Sequence, residues 1–468
     1  MSSLRLTPLI LAVALFMENM DSTVIATSLA AIAHDIGTEP TALKLAMTSY
    51  LVALAIFIPI SSWMADRFGA RQVFRWAMIV FIVGSVFCAV SDSLLTFVLS
   101  RFLQGVGGAM MTPVARLVLV RVTPRHQLVD AMAWLSIPGL VGPIVGPPVG
   151  GFITTYWSWH WIFLINVPIG IAGVVLVNLF LPDWQRSGTR RLDAFGFLLV
   201  GTTFAGWVFG ISVLTLPALP MSFGIAALVG GTIAALLYLW HFRRTEYPLL
   251  DLRIFRLPLF RTTVIAGTFF RLGVGATPFL FPLMLQLGFG HSPFESGMIS
   301  FAGAVGAFIA KFVAERVIQR LGFRSTLVWS TFVTVLGIYG MALYTIDTPI
   351  PLILAILAVT GFYQSMFWTA TNAFTFADVS DKEAGQANVI SQVGVQLSLA
   401  CGVALGGGML EFSHLVSGGA TPSVGDFHTA FWVVGTVALV ATAVFFRLPR
   451  HAGHALSGHR AAEPQAGE

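Results

Sequence analysis

Two carboxylates stand where carboxylates are rarely tolerated. Glu18 and Asp21 lie in Phe16-Met17-Glu18-Asn19-Met20-Asp21-Ser22-Thr23, inside an apolar run extending roughly from Thr7 to Ala31. A charge at the centre of a bilayer costs about 2.5–3.5 kcal/mol even on insertion-based scales, so an acid at that depth faces a cavity or a partner. Three residues apart, the two are separated by roughly 60° around a helix and share a face. The chemistry open to them is reversible proton binding. Burial and a neighbouring cation push a carboxyl's proton affinity in opposite directions, so a change of surroundings can switch its protonation. Two acids this close are expected to titrate as a coupled pair.

The cation that fits is Arg101. At 1.5 Å of rise per residue, Glu18 lies about 15 Å in from Pro8, near the midplane, and Asp21 lies about 10 Å from the far face. Arg101 enters from that far face on another apolar run and reaches about the same depth. Asp21 and Arg101 are therefore expected to meet in a polar network shared with Gln104. The plainer alternatives are an acid that only neutralises Arg101, and an arginine that only clamps backbone carbonyls.

These residues need long apolar helices to hold them. Of the 468 residues, 56% are hydrophobic and 10% charged, against roughly 25% charged in soluble domains; mean hydropathy is +0.84. The apolar runs are ~20 residues long and do not alternate, which excludes a β-barrel and predicts an all-α, multi-pass membrane protein. Fourteen spans are expected, at roughly 7–31, 42–65, 73–91, 94–119, 127–154, 160–181, 192–212, 218–241, 259–287, 295–318, 325–345, 350–376, 385–411 and 427–447. Ala31-Ile32-Ala33 resembles a signal-peptidase site, but the run before it is long and carries two acids, so an uncleaved first span is expected.

Charge placement orients the spans. One set of loops holds Arg67, Arg71 and Arg75; Arg121 and Arg125; Arg186, Arg190 and Arg191; Arg243, Arg244, Arg253, Arg256 and Arg261; Arg316, Arg320 and Arg324; Lys382; and Arg447, Arg450 and Arg460. The opposite loops carry Asp35, Glu39, Asp92, Asp347 and Asp426, with Lys44 as their one exception. The positive-inside rule then puts both termini in the cytoplasm. The net charge of +5 follows from this topology and gives no reason to expect a nucleic-acid partner. Cys88 and Cys401 both sit in apolar runs, which argues against a disulfide framework or zinc site. His451, His454 and His459 lie in an Ala/Gly-rich tail, expected to be disordered rather than metal-binding.

The chain repeats itself. Arg67-Phe68-Gly69-Ala70-Arg71 follows the second span and Arg320-Leu321-Gly322-Phe323-Arg324 the tenth. Two homologous six-helix halves are expected at 1–183 and 251–450, joined by a linker over 184–250 with two additional spans and followed by the tail over 451–468.

Five motifs carry a resemblance to a known family. They are Asp21-Ser22-Thr23-Val24-Ile25 in the first span; Ser62-Trp63-Met64-Ala65-Asp66-Arg67-Phe68-Gly69-Ala70-Arg71 after the second; Arg101-Phe102-Leu103-Gln104-Gly105 in the fourth; Gly142-Pro143-Ile144-Val145-Gly146-Pro147-Pro148-Val149-Gly150-Gly151 in the fifth; and Trp159-His160-Trp161-Ile162-Phe163-Leu164-Ile165-Asn166-Val167-Pro168 entering the sixth. Together they resemble the major facilitator superfamily, and within it the fourteen-span drug:proton antiporter branch of bacterial inner-membrane exporters. Ser62 and Ala70 depart from the family's loop pattern, His160 replaces an arginine, and the proline usual after the first motif is missing.

The resemblance implies the major facilitator fold, two six-helix bundles plus two linker helices, and proton-coupled efflux of small amphipathic or cationic molecules by alternating access. Asp21, Glu18 and Arg101 would couple to protons. Asp66, Arg67, Gly69 and Arg71 would latch a gate, and Gly142, Gly146, Pro147, Gly150 and Gly151 would form a tight contact between the halves. Substrate contacts are expected from Gln104, Tyr50, Trp134, Phe269, Arg271, Gln364, Trp368, Asn372 and Gln396. Arg271 would neutralise an anionic substrate or pair with Glu18, and Lys311, nearer the inner face, reads as structural. No cofactor is expected beyond the proton gradient, and the partners would be the lipid bilayer, protons and a small molecule bound by a monomer. Export of one specific metabolite, siderophore or lipid would use the same parts. A non-transporting receptor or scaffold would not need a titrating acid in the first span, and no nucleophile–base set or metal motif suggests an enzyme.

Overall fold

The computed structural model describes residues 3–124, 127–181, 191–214, 216, 219–380, 382–419 and 421–449. The expected tail with its histidines, and Arg125, Arg186, Arg190, Arg450 and Arg460, lie outside the described residues. Among the described residues there is no strand. The helices are α1 (Ser3–Val24), α2 (Lys44–Phe57, continued by Ile58–Ile60 and Ser61–Phe68), α3 (Ala70–Ala89), α4 (Leu94–Val122), α5 (Leu128–Tyr156) and α6 (Asn166–Phe180, preceded by His160–Leu164). They continue with α7 (Ala194–Leu214), α8 (Met221–Arg244), α9 (Pro258–Leu283), α10 (293–321) and α11 (323–341), α12 (Ile350–Phe374), α13 (Ala384–Ser417) and α14 (Val424–Phe446). Thirteen described helices are long and apolar enough to cross a membrane. One of them, Pro293–Met341, is broken at Gly322 (φ 75°, ψ 166°) into α10 and α11, which restores the fourteen expected spans.

The break is the second copy of the repeated loop. Gly69 (φ 95°) and Gly322 (φ 75°) both occupy the left-handed region, which a side chain disfavours by roughly 1–2 kcal/mol. In each copy the arginine two residues on holds a distant helix end. Arg71 Nη2 donates to the Asn178 carbonyl at 2.6 Å, near the end of α6. Arg324 Nη2 donates to the Phe446 carbonyl at 2.8 Å, the last residue of α14. A cation at a helix C-terminus satisfies orphan carbonyls and the helix dipole together. Gly69→Ala and Gly322→Ala are each expected to destabilise the protein by about 1–2 kcal/mol, read as a lower melting temperature in detergent. Gly385→Ala is the control, because a Cβ there meets open space.

At the opposite end, three helices begin in capping boxes: Ser93 with Thr96 on α4, Ser292 with Glu295 on α10, and Ser423 with Asp426 on α14. Each satisfies two backbone donors that a helix start leaves unpaired. The structure departs from the expected first span at its outer end. α1 stops at Val24, tightens into the turn Ile25–Thr27 and resumes as Leu29–Asp35. Ser22, Thr23 and Thr27 all donate their hydroxyls back to carbonyls three or four residues earlier, and such back-bonding bends helices.

The packing follows from small residues and apolar stripes. α1 lies along α5 and α6, and α4 along α2 and α3; α9 lies along α13 and α14, and α10 and α11 along α12. Among the described residues, the most extensive packing between the first six helices and the last six is α2 against α13 and α5 against α10. α7 lies on α2 and α13 and carries α8, which exposes Ile225, Val229, Ile233, Leu236 and Trp240. That stripe suits lipid. The α7–α8 pair is anchored at the arginine-rich end by Asp193, which accepts from His241 Nε2 at 2.7 Å and from the Leu249 amide at 3.1 Å.

Candidate functional site

Four helices converge on Asp21, which is 2% exposed. α4 supplies Arg101, whose Nη1 donates to Asp21 Oδ2 at 2.6 Å, and Gln104, whose Nε2 donates to Oδ1 at 2.8 Å. The two are one turn apart, so both reach the same carboxylate. α6 supplies Asn166, donating to Oδ1 at 2.7 Å. α3 supplies Ser85, whose hydroxyl accepts from Gln104 at 2.8 Å and from Asn166 at 3.3 Å. Arg101 also donates to Gln104 Oε1 at 2.5 Å, and its guanidinium lies 4.4 Å from the centre of the Tyr50 ring. Buried charge survives only when paired and hydrogen-bonded, and here the carboxylate has three donors. Glycines permit the close approach: a Cβ at Gly84 would strike the Gln104 backbone, and one at Gly105 would strike the Tyr50 carbonyl.

Glu18, one turn nearer the arginine-rich end, is half-buried and accepts from the Thr112 hydroxyl of α4 at 2.8 Å. Arg116, one turn further along α4, is exposed and acts electrostatically on it. Both acids thus face α4, but each has its own partners. Sequence reasoning missed Asn166, Ser85, Thr112 and Arg116. The signal available was their polarity inside long apolar runs, which does not say which way a side chain points.

Beside this network is a cavity of about 680 Å³ between α1, α5, α9, α10 and α12, a size that suits a small organic molecule. Three elements present it with residues at i, i+4 and i+8: Asn19 and Thr23 on α1 with Thr27 in the turn that follows it; Gly139, Pro143 and Pro147 on α5; and Gln364, Trp368 and Asn372 on α12. Phe281, Phe308 and Met341 add apolar surface, and Lys311 adds a charge. The cavity reaches Asn372, two residues from the arginine-rich end of α12. Toward the opposite end it is closed. Gln286 donates to the Thr27 carbonyl at 3.0 Å, the Phe294 amide donates to Thr155 at 3.0 Å, and Phe152 and Tyr156 pack on Phe294.

Several expected substrate contacts lie elsewhere. Tyr50 and Gln104 are buried inside the Asp21 network; Tyr50 faces α4 because it supports Arg101. Arg271 is buried behind Trp368, 5.9 Å from its ring centre, with no acidic partner among the described residues. The expected pairing with Glu18 is therefore absent. Trp134, Phe269 and Gln396 are half-buried and do not line the cavity. Lys311, expected to be structural, is exposed in the cavity wall with Nζ 3.0 Å from Thr369 Oγ1.

The glycine stripe needs the same correction. Gly142, Gly146 and Gly150 share one face, as their spacing requires, but that face meets α1 within the same half: a Cβ on them would strike Met20, Thr23 and Val24. The neighbours on the adjacent face make the contact between halves. A Cβ at Gly151 would strike the Pro293 carbonyl, and one at Gly297 would strike that of Pro147. The loop acid Asp66 accepts from Arg121 of the same half at 2.8 Å at the end of α4, while Arg67 is exposed. In the second copy Gln319 donates to Glu315. In the entry to α6, the Trp159 indole donates to Asp35 at 3.0 Å and stacks on His160.

Fourteen apolar spans around a cavity with an apolar lining and a few polar groups, with a buried ion-pair network beside it, describe a multi-pass membrane protein of the secondary-transporter class. The sequence profile of the Major Facilitator Superfamily matches residues 11–245 and 263–467. The chain belongs to that superfamily. It is 37% identical over 449 residues to a protein of Cronobacter sakazakii provisionally named multidrug resistance protein MdtD, covering 94% of each chain. It is 35% identical over 431 residues to its namesake in Serratia proteamaculans, covering 90% of this chain and 88% of the relative. Among solved structures, a D-xylose–proton symporter superposes with a TM-score of 0.69 at 14% identity, over 95% of this chain and 98% of the other. A bacterial homologue of the human lysosomal transporter Spinster, inward-facing and unoccupied, gives 0.66 at 15% identity, over 99% of both chains.

Proposed function

We propose that the protein is a proton-driven exporter of small organic molecules, working by alternating access in the bacterial inner membrane. Its arginine-rich end and both termini face the cytoplasm. It works as a monomer in the bilayer, needs no cofactor beyond the proton gradient and converts no substrate chemically. The observation that carries this reading is the closed network around Asp21, a carboxylate held deep in the first span by Arg101, Gln104 and Asn166. The curated relatives named for multidrug resistance support export as the direction.

In the state described here the cavity reaches toward the cytoplasm, Asp21 is paired and the opposite end is sealed. Proton exchange at Asp21 takes place when the helices around it part. Protonation removes the charge that holds Arg101 and loosens α1 from α4, which allows the halves to rock. In the outward state Asp21 takes a proton as substrate leaves; in the inward state the proton leaves and substrate binds. The membrane potential supplies about 2.3 kcal/mol per charge per 100 mV, and each pH unit about 1.36 kcal/mol per proton. Asp21→Asn keeps the shape and loses the titration. In proteoliposomes with an imposed pH gradient it is expected to exchange substrate downhill but not to accumulate it. Uphill export by this variant would overturn the assignment.

A further inference from the structure

Among the described residues lining the cavity, Lys311 is the single charged side chain. Its Nζ reaches a hydroxyl, Thr369 Oγ1 at 3.0 Å, and no carboxylate. Arg271 stands one layer behind, over the back of the Trp368 ring at 5.9 Å, with its Nε buried and unpartnered. Neither cation has an acidic partner among the described residues, whereas Arg101, the deep cation of the other half, is fully neutralised by Asp21. Glu18 and Asp21 face α4 and are not part of the cavity wall. Lys311 on α10 and the buried Arg271 on α9 behind it therefore leave uncompensated positive charge on this side of the cavity at membrane depth, where an isolated charge is costly. A ligand that brings a negative group into the cavity removes that cost. The rest of the lining asks for an apolar body with a few hydrogen-bonding atoms: Trp368, Phe281, Phe308 and Met341 supply apolar surface, and Gln364 and Asn372 flank the tryptophan on the same stripe.

We infer that the cavity binds amphipathic organic anions, with the carboxylate or sulfonate seated against Lys311 and the aromatic or aliphatic body on Trp368. This narrows the expected amphipathic or cationic substrates to amphipathic anions and names the substrate class of the exporter proposed above, on which it rests. The test uses binding without a gradient, so it does not depend on coupling. The detergent-solubilised full-length protein is titrated calorimetrically with 2-naphthoate, its neutral isostere 2-naphthamide and the cation 2-naphthylmethylammonium. Naphthoate is expected to bind at least about tenfold more tightly than the amide, with the ammonium weakest, as a charge-assisted contact implies. Lys311→Met is expected to weaken naphthoate about tenfold and leave the amide unchanged, and Lys311→Arg to retain the preference. Binding is read with no gradient imposed, so loss of the naphthoate preference overturns anion recognition whatever the transport assay shows, and a failure of proton coupling is read separately from a failure of anion recognition. Equal affinities, a preference for the ammonium, or no naphthoate binding at millimolar concentration overturns the inference.

Discussion

Arg101→Met is expected to abolish uphill export and to destabilise the protein more than any other single change in the first six helices. Arg101 is 1% exposed and its partner Asp21 2%. Removing one member of a buried pair typically costs about 3–5 kcal/mol, because the survivor is left charged or must take up a proton. An exposed pair such as Asp66–Arg121, with side chains 41% and 29% exposed, contributes only about 0–1 kcal/mol. Without Arg101, Asp21 keeps Gln104 and Asn166 as donors but loses its only cationic partner among the described residues, so the pair whose making and breaking drives the switch is gone. The double variant Asp21→Asn/Arg101→Met replaces the pair with neutral groups of similar shape and is expected to recover most of the stability, since such replacements are often neutral or better. It recovers none of the coupling. Melting temperatures of the two single variants and the double variant, read as a double-mutant cycle, separate structure from function. Uphill export by Arg101→Met at the parent rate would reduce the arginine to a packing clamp.

The depth match between Asp21 and Arg101 was legible because it needs only residue counts along two antiparallel spans. The positions of Gly69 and Gly322 were legible because a repeated Arg-apolar-Gly-x-Arg pattern marks a turn that a side chain resists. Facing is another matter. The stripe of Gly142, Gly146 and Gly150 shows that some helix comes close, not which one; α1 takes that face, and Gly151 beside it meets α10. Lys44 shows the same limit. Its loop-like position among acidic residues suggested an exception to the charge rule, yet it is fully buried on α2 against Gly407 of α13, under the influence of the buried Glu411. Nothing in either stretch announces the other, because the pairing is created by packing across the two halves. The cavity residues are half legible: the polar and aromatic residues of the α12 stripe stand out in an apolar run, whereas Lys311 does not, because a lysine near a helix end is usually free to snorkel to the interface.

Gly297→Val is expected to hold open the end opposite the arginine-rich loops and to end export while leaving the fold intact. In this structure Gly297 of α10 lies against the Pro147 carbonyl, and Gly151 of α5 against Pro293. A side chain at Gly297 must overlap the backbone of α5 whenever that end closes. Overpacking costs about 1–3 kcal/mol, and every 1.4 kcal/mol is tenfold in a population, so the closed state falls by about tenfold to a hundredfold. The opposing state does not feel the overlap if the two helices separate there, which is what alternating access requires. Gly142→Val is the comparison. It overpacks α5 against α1 within one half, in both states alike, and is expected to destabilise the whole protein without shifting the balance. With only Cys88 and Cys401 to replace by alanine, a single cysteine at the cavity residue Ser300 reports which end is open. Membrane-impermeant maleimide applied from outside should label it slowly in the parent and about tenfold faster with Gly297→Val. Unchanged labelling together with normal export would show that the α5–α10 contact does not part during transport, and the gate would then have to be sought at α2 and α13.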